Sequence, residues 1–523
     1  MNKSLIIVFI AFISIRVSAQ VDEDLARIKN RFPQSRHVIL NKEEHVKIDL
    51  KNGLPVVFSD NLVRRMALDE KVLGLNEQSV TYKEGYQQIE GLEAFTYAKE
   101  GNSYRKIKAD EIKISDHLSN EIFYDGVKKT KIIFPSVTKG AVMELKYREL
   151  LNDHRFLGGF HFKSYSPVIK SVYTVTFPQN IKVAWKFIGD SSMIKFSKVK
   201  KKNNWVYTWE GIDLPEMKRF GSESSVLKYE PHLYLYVEGQ DTEKGHIKYM
   251  GNVKELFKFE SSYLKKLNKD TADPQLMAVV DSIKKVSKNT KEQIKNTFYW
   301  AQDNIKYIAF EDGIGGLRPR EANDVLIKRF GDCKDIANMI SYMLKQQGIP
   351  SYLTWIGTRS LPYTYDQLPL IYSSNHMITA VHVDNEWIFL DGTAKNCTYK
   401  FPTEHIQGKE AMIAISPDSF TVATVPVIPP KYNLDKDSIA ISIVGKNLEC
   451  KGTMRLEGFA KNNFVDGLYY VSTQKKEDAV KEFLEAGNNK CVVKDFQLKN
   501  EAKKDSALKI KYALSITDYI KEI

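Results

Sequence analysis

Cysteine is scarce, with four residues in a chain of 523. None lies in a Cys-x-x-Cys pair, and no His-Glu-x-x-His occurs. The common zinc-ligand spacings are therefore missing and no metal is implied. Blocks of one charge are also missing. Basic residues exceed acidic ones by 12, but the excess is spread along the chain, and two of those charges, Lys3 and Arg16, sit near its start. No basic arm for nucleic acid is expected. Beyond the first residues no apolar run is long enough to span a bilayer. Gly313, Gly315 and Gly316 lack the strand–GxGxxG–helix setting that cradles a phosphate, so no organic cofactor is implied. No repeat of solenoid period is present.

What is there begins with a leader. Lys3 gives a positive start, Leu5 to Ile15 an apolar run, and Val17-Ser18-Ala19 a small-residue cleavage site. Residues 1–19 read as a secretory signal peptide. The mature chain is expected to be exported, periplasmic or secreted, with peripheral contact to the cell envelope. Hydrophobic residues make up 43% of the chain, which is ordinary for a globular protein. The length suggests three domains.

The texture predicts a multidomain α+β protein. Residues 20–44 read as a short helix or arm. From His45, segments such as HVKIDLKNG, KTKIIFP, SVYTVTFP and NWVYTWEGI alternate apolar and polar residues between turn formers. They predict an antiparallel β-sandwich over 25–240, with Lys200-Lys201-Lys202-Asn203-Asn204 as a solvated hairpin turn. Its aromatic strands also fit a carbohydrate platform, a weaker reading. A mixed core is expected over 250–400. Thr290 with Gln293 reads as a capping box, and Ile294, Phe298, Ala301 and Ile305 form one apolar helical stripe. The Pro-rich stretch from Val425 to Pro430 opens a small β-rich domain over 430–523, with one helix at Asp478 to Ala486. Cys450 and Cys491 lie on two strand-like segments there, either bridged or as separate thiols. The chain stops just after a strand, so this last sheet is expected to be truncated.

The chemistry centres on Phe330-Gly331-Asp332-Cys333-Lys334-Asp335. Ile336, Met339, Ile340, Met343 and Leu344 follow at helical spacing, and Gly348 and Pro350 end the helix. Cys333 thus stands at a helix start, where free amides and the dipole favour a thiolate nucleophile. Its base can be found by strand register. Asp384-Asn385 closes a hairpin, pairing Val383 with Glu386, His382 with Trp387 and Ala380 with Phe389. His376 then lies diagonal to Asp391, roughly 7–8 Å away between backbones. His382 is roughly 13 Å along the strand from the position opposite Asp391. The register selects His376.

Cys333, His376 and Asp391, carried by GDCKD at 331–335, NH at 375–376 and LDGT at 390–393, resemble the transglutaminase-like superfamily. GIGGLRP at 313–319 resembles the lead-in to the cysteine in its bacterial envelope members. The resemblance covers about residues 270–400 and implies a papain-like fold with a Cys-His-Asp triad. It also implies an N-terminal β-rich domain of unknown function. One departure is His376-Met377-Ile378, where many members have His-Ala-Trp.

On this reading His376 takes the Cys333 proton, Asp391 orients the imidazole, and the thiolate attacks an amide or peptide carbonyl. The Cys333 amide, with Gln302 or Trp300 beside it, would hold the oxyanion. Tyr363, Tyr365 and Tyr372, in the long segment before His376, are candidates for substrate contact. Arg318 and Arg320 are candidates to pair with Asp332 or a substrate carboxylate. Water as acceptor gives a peptidase or amidase on a peptide or protein substrate, and an amine gives a crosslinking transglutaminase. The rival from another class is a non-catalytic envelope binding or assembly protein.

Overall fold

A computed structural model describes residues 25–521, apart from 71–73, 102, 117–121, 125, 219–220, 222–224 and 311–315. The signal peptide expected at 1–19, and Gly313 to Gly315 of the GIGGLRP segment, lie outside the described residues. The chain divides into two compact units. One comprises Met1–Tyr263, Ala309–Arg318 and Ser360–Ser373, the other Leu264–Ile308, Pro319–Arg359 and Ser374–Ile523.

The first unit is β-rich. Alternating strands build an eight-stranded sheet in the order Ile194–Lys201, Asn204–Leu214, Val168–Pro178, His37–Lys51, Leu54–Ala67, Val142–Leu151, Gln87–Glu100 and Ser103–Lys108. Neighbours run antiparallel except His37–Lys51 beside Val168–Pro178, which are parallel. A second sheet holds Gly159–His161, His232–Thr242, Ile181–Ile188 and Gly245–Lys248. Val46, Ile48, Tyr173, Val175 and Phe177 of the large sheet share one core with Ile181, Leu233, Leu235 and Val237 of the second. Burying each such large side chain stabilises the fold by about 1.5–3 kcal/mol. Asn52 and Gly53 both have positive φ, as a two-residue turn between long strands requires. The lysine-rich turn is a hairpin, with Lys201 paired to Asn204. One boundary moves. The first strand starts at His37 rather than His45, because Val38 and Ile39 are buried and Ile39 pairs with Val168.

The second unit places helices Pro274–Val286, Thr290–Asn304, Ala322–Lys328 and Cys333–Gln346 with a five-stranded antiparallel sheet. The strand order is Glu386–Leu390, His376–Val383, Ser351–Ile356, Glu410–Ser416 and Ser419–Thr424. Ile336, Met339, Ile340 and Met343 bury the face of the cysteine helix against Ile294, Phe298, Val381 and Leu390. Ile378, Ala380 and Phe389 fill the opposite side of the sheet with Ile356, Ala411 and Ile413. The cap of Thr290–Asn304 lies one residue earlier than expected. Asn289 accepts from the Glu292 amide at 3.0 Å, and the Glu292 carboxylate accepts from the Lys288 amide at 2.8 Å. Asparagine has the shorter reach and is the stronger N-cap.

Beyond Val425 a four-stranded sheet runs Asp435–Val444, Asn447–Leu456, Leu508–Ile516 and Cys491–Lys499. It carries two helices, Gly458–Tyr469 and Lys476–Glu485, where the sequence suggested one. The first was missed because glycines at 458 and 467 weaken its helical signature. Cys450 and Cys491 are both free. Their strands flank Leu508–Ile516, with Cys450 opposite Leu514 and Cys491 opposite Ile516. Two strand spacings exceed the reach of a disulfide. No helix among the described residues is long and apolar enough to cross a membrane.

Candidate active site

Asp332 is the N-cap of the cysteine helix. Its carboxylate accepts from the amides of Lys334 and Asp335, and Asp335 answers by accepting from the Asp332 amide at 3.2 Å. This reciprocal box fixes the helix start at Cys333. Asp332 also pairs with the buried Lys334 ammonium. Arg320 lies on Asp335, with its Nε at 2.9 Å and its backbone amide at 2.8 Å from the two carboxylate oxygens. The expected pairing of Arg320 with Asp332 is therefore replaced by one with Asp335, because Lys334 already neutralises Asp332. Gly331 is required by this crowding, since a Cβ there would lie 2.6 Å from the Cβ of Asp335. Cys333 is half-exposed, whereas Cys397, Cys450 and Cys491 are buried.

The hairpin has the register read from the sequence. Val383 pairs with Glu386, His382 with Trp387 and Ala380 with Phe389. Asp384 and Asn385 have φ of 52° and 62°, the left-handed pair of a two-residue turn. His376 Nε2 then lies 3.1 Å from Asp391 Oδ2. An ionised carboxylate only accepts, so Nε2 carries the proton and Nδ1 is left for Cys333. Burial opposes charge on His376. The Asp391 charge and hydrogen bond, then the hydrogen bond and charge of Cys333, outweigh it and raise the His376 pKa well above its ordinary value. Burial likewise opposes ionisation of Asp391, but His376 and then His405 hold its carboxyl well below the usual range.

Asp391 has more partners than the sequence disclosed. Oδ1 accepts from the hydroxyl and amide of Thr393, at 2.6 and 3.2 Å. Oδ2 accepts from His376 and from the Thr403 hydroxyl at 2.8 Å, and His405 Nε2 lies 3.2 Å from it. Thr403 caps a short 3-10 turn, Glu404–Ile406, and His405 lies within it; no periodic pattern marks them in the sequence. His376, Asp391 and His405 offer donor atoms within 4.8 Å of one another. A cation held by these three groups would take the place of the proton that His376 donates to Asp391. Gly392 lets this turn sit on the cysteine helix. A Cβ there would overlap Ile336 and lie 2.8 Å from Ile340 Cδ1.

The remaining sequence candidates stand elsewhere. Gln302 is buried, and its amide nitrogen donates to the carbonyls of Ala394 (2.6 Å) and Cys397 (3.1 Å). Both amide hydrogens are thus committed, and an oxyanion role for Gln302 is corrected to a bracing one. Trp300 packs at the edge of the helical core, with the Arg329 guanidinium 5.4 Å from its ring centroid. Tyr363, Tyr365 and Tyr372 belong to the first unit. Tyr363 and Tyr365 are each 3% exposed. The Tyr363 hydroxyl is 2.6 Å from His232 Nε2, and Tyr372 stacks on Tyr234 and donates to the Phe156 carbonyl at 2.8 Å. Their expected role as exposed substrate contacts gives way to aromatic packing, which buries more apolar area than solvent-facing rings would.

Residues 277–392 match the family model of the transglutaminase-like superfamily. Residues 64–218 match that of a domain of unknown function, DUF3857. No curated protein matches the chain. Among solved structures, a "putative protease" from Parabacteroides distasonis aligns with a TM-score of 0.58 at 11% identity, covering 92% of this chain and 93% of that one. A "putative cysteine protease" from Cytophaga hutchinsonii is 10% identical over 68% of this chain and 78% of its own, with a TM-score of 0.14. The first likeness is one of fold; the second carries no weight. Residues 277–392 thus match the transglutaminase-like superfamily, and the DUF3857 match precedes them.

Proposed function

We propose that the chain is a cysteine acyl-transfer enzyme that hydrolyses amide or peptide bonds, with Cys333 as nucleophile, His376 as base and acid, and Asp391 as the group that orients His376. The observation that carries this reading is the placement of His376, bonded through Nε2 to Asp391 at 3.1 Å, with Cys333 among the groups that raise its pKa. His376 accepts the Cys333 proton, and the sulfur bonds to the carbonyl carbon. His376 then returns the proton to the leaving amine as the C–N bond breaks, leaving a thioester. Water, deprotonated by His376, cleaves the thioester to a carboxylate and restores the thiol. Asp332 caps the amides of Lys334 and Asp335, and the Cys333 amide has no acceptor among the described residues. That amide is available to a developing oxyanion.

The test is iodoacetamide alkylation of Cys333 from about pH 5 to 9, read by mass spectrometry, followed by a screen of peptide, amide and amine substrates. Fast labelling at pH 6 that His376→Ala removes, and peptide cleavage that Cys333→Ala abolishes, support the reading. Incorporation of a primary amine without cleavage would assign the acyl-enzyme to crosslinking. Labelling that rises only as a free thiol ionises, and that His376→Ala leaves unchanged, would sink the enzyme reading.

A further inference from the structure

The turn after Asp391 is gripped from the C-terminal sheet domain. Lys504 Nζ donates to Gln302 Oε1 at 2.9 Å and to Asp303 Oδ1 at 2.7 Å. Gln302 passes this on to the carbonyls of Ala394 and Cys397. The Lys504 carbonyl accepts from Thr398 Oγ1 at 2.9 Å. Asp505 takes the Tyr299 hydroxyl, which in turn accepts from the Tyr399 amide at 3.0 Å. Helix Gly458–Tyr469 adds Asp466, which accepts from Asn396 Nδ2 at 2.6 Å, and Tyr469, whose ring lies 4.0 Å from Lys395 Nζ. The gripping loop is itself fixed. Lys461, only 4% exposed, donates to the carbonyls of Lys503 (2.5 Å), Lys504 (3.1 Å) and Ser506 (2.7 Å).

This wiring is specific. A buried lysine satisfying three carbonyls of one loop is costly to lose, because each would be left unpaired. Segment 394–399 has a bond to this domain, or to a side chain this domain holds, at Ala394, Asn396, Cys397, Thr398 and Tyr399. Asp391 stands at the head of that segment, and its aim at His376 is what the proposed chemistry needs.

We infer that the C-terminal domain is a positioning element for the active site, and that Lys504 is a positioning residue which holds the Asp391 turn through Gln302 and Thr398. The inference rests on the Cys333–His376–Asp391 reading above. In mechanism terms, Lys504 touches no reacting atom; it sets the orientation of His376 through the backbone of 394–398.

The test uses the full chain and iodoacetamide as probe. Lys504→Met should lower the Cys333 labelling rate at pH 6 by about tenfold, as expected when a catalytic group is displaced by a fraction of an ångström. At pH 9, where any thiol reacts, labelling should be close to wild type. Lys504→Arg, which keeps the charge, should recover most of the loss. Hydrogen exchange at residues 393–399 should quicken in Lys504→Met and not in Lys504→Arg. Thr398→Val, which removes one hydroxyl, serves where Lys504→Met fails to fold, and should show the same pH-selective loss in smaller degree. Wild-type labelling and exchange in both Lys504→Met and Thr398→Val would overturn the inference. His376→Ala separates the two failures. If it loses labelling while the Lys504 and Thr398 variants do not, only the positioning role falls. If it labels like wild type, the triad reading falls and this inference with it.

Discussion

His405 and His376 both bring Nε2 to the same oxygen of Asp391, at 3.2 and 3.1 Å, and their rings meet edge to face with centroids 5.3 Å apart. His376 is almost enclosed, its side chain 9% exposed, while that of His405 is 45% exposed. The enclosed histidine is the one proposed to act on Cys333; the open one shares its anchor. His405→Ala leaves Asp391 bonded to His376, Thr393 and Thr403, so Cys333 labelling at pH 6 should stay within about threefold of wild type. Asp391→Asn should lose at least about tenfold, because an amide no longer favours the charged imidazole. Equal losses in the two variants would mean that His405 is as necessary as the carboxylate.

The pH dependence of stability follows from the two opposed shifts. His376 is raised, so its contribution is full below its unfolded value of about 6.5 and fades as pH rises through the folded value. Asp391 is lowered, so its contribution is full above its unfolded value of about 3.9 and fades as pH falls through the folded value. Together they stabilise most between about pH 4 and 6.5. The difference in urea midpoint between wild type and His376→Ala should be largest near pH 5 to 6 and shrink toward pH 9. A difference that grows with alkaline pH would contradict the assigned ion pair.

Arg320 and Asp335 form an ion pair at 2.8 Å, with the Asp335 side chain 2% exposed. Arg320→Met leaves that carboxylate buried without its cation and should cost about 3–5 kcal/mol. Arg320→Met with Asp335→Asn should cost less than the single change, since the stranded charge is gone. Urea unfolding of the four proteins of this cycle gives the coupling directly.

Gly392→Ala should destabilise by about 1–3 kcal/mol, the usual cost of forcing a methyl into a packed core, because the new Cβ meets Ile336 and Ile340. The same change should reduce Cys333 labelling at pH 6, since Asp391 precedes it. A melting temperature equal to wild type would show that the turn can move away from the helix at no cost.

Native alkylation should mark Cys333 alone. Burial pushes the Cys397, Cys450 and Cys491 thiols up, and the strand spacing keeps Cys450 and Cys491 apart. A thiol titration in denaturant without reductant should count all four cysteines. A count of two would reveal a bridge that the sheet has no room to make.

Much of the site was readable because it obeys local rules. Period-two alternation and a two-residue turn fixed which residue faces which, and so chose His376 over His382. Helical spacing from Ile336 to Leu344 located the helix start at Cys333. What escaped depends on contacts far apart in the chain. His405 and Thr403 reach Asp391 from a turn with no pattern, and Lys504 reaches Gln302 from across some 200 residues. Gln302 is a candidate as a side-chain donor, and the three tyrosines because their long segment ends beside His376. Packing instead committed Gln302 and Tyr372 to backbone carbonyls, Tyr363 to His232, and the rings of Tyr363 and Tyr372 to Tyr234. Helix Gly458–Tyr469 was hidden by its glycines, which local propensity counts against and packing tolerates.

The grip of Lys461 and Lys504 on the Asp391 turn has a consequence for the order in which the chain is made. Synthesis runs from the N-terminus, so Cys333 and His376 emerge about 130 residues before Lys504. At about 5–20 residues per second the interval is roughly ten seconds. Throughout it the nascent chain carries its thiol and imidazole without the loop proposed to align them. On the proposed reading, reactivity is then acquired only after the C-terminal sheet has folded.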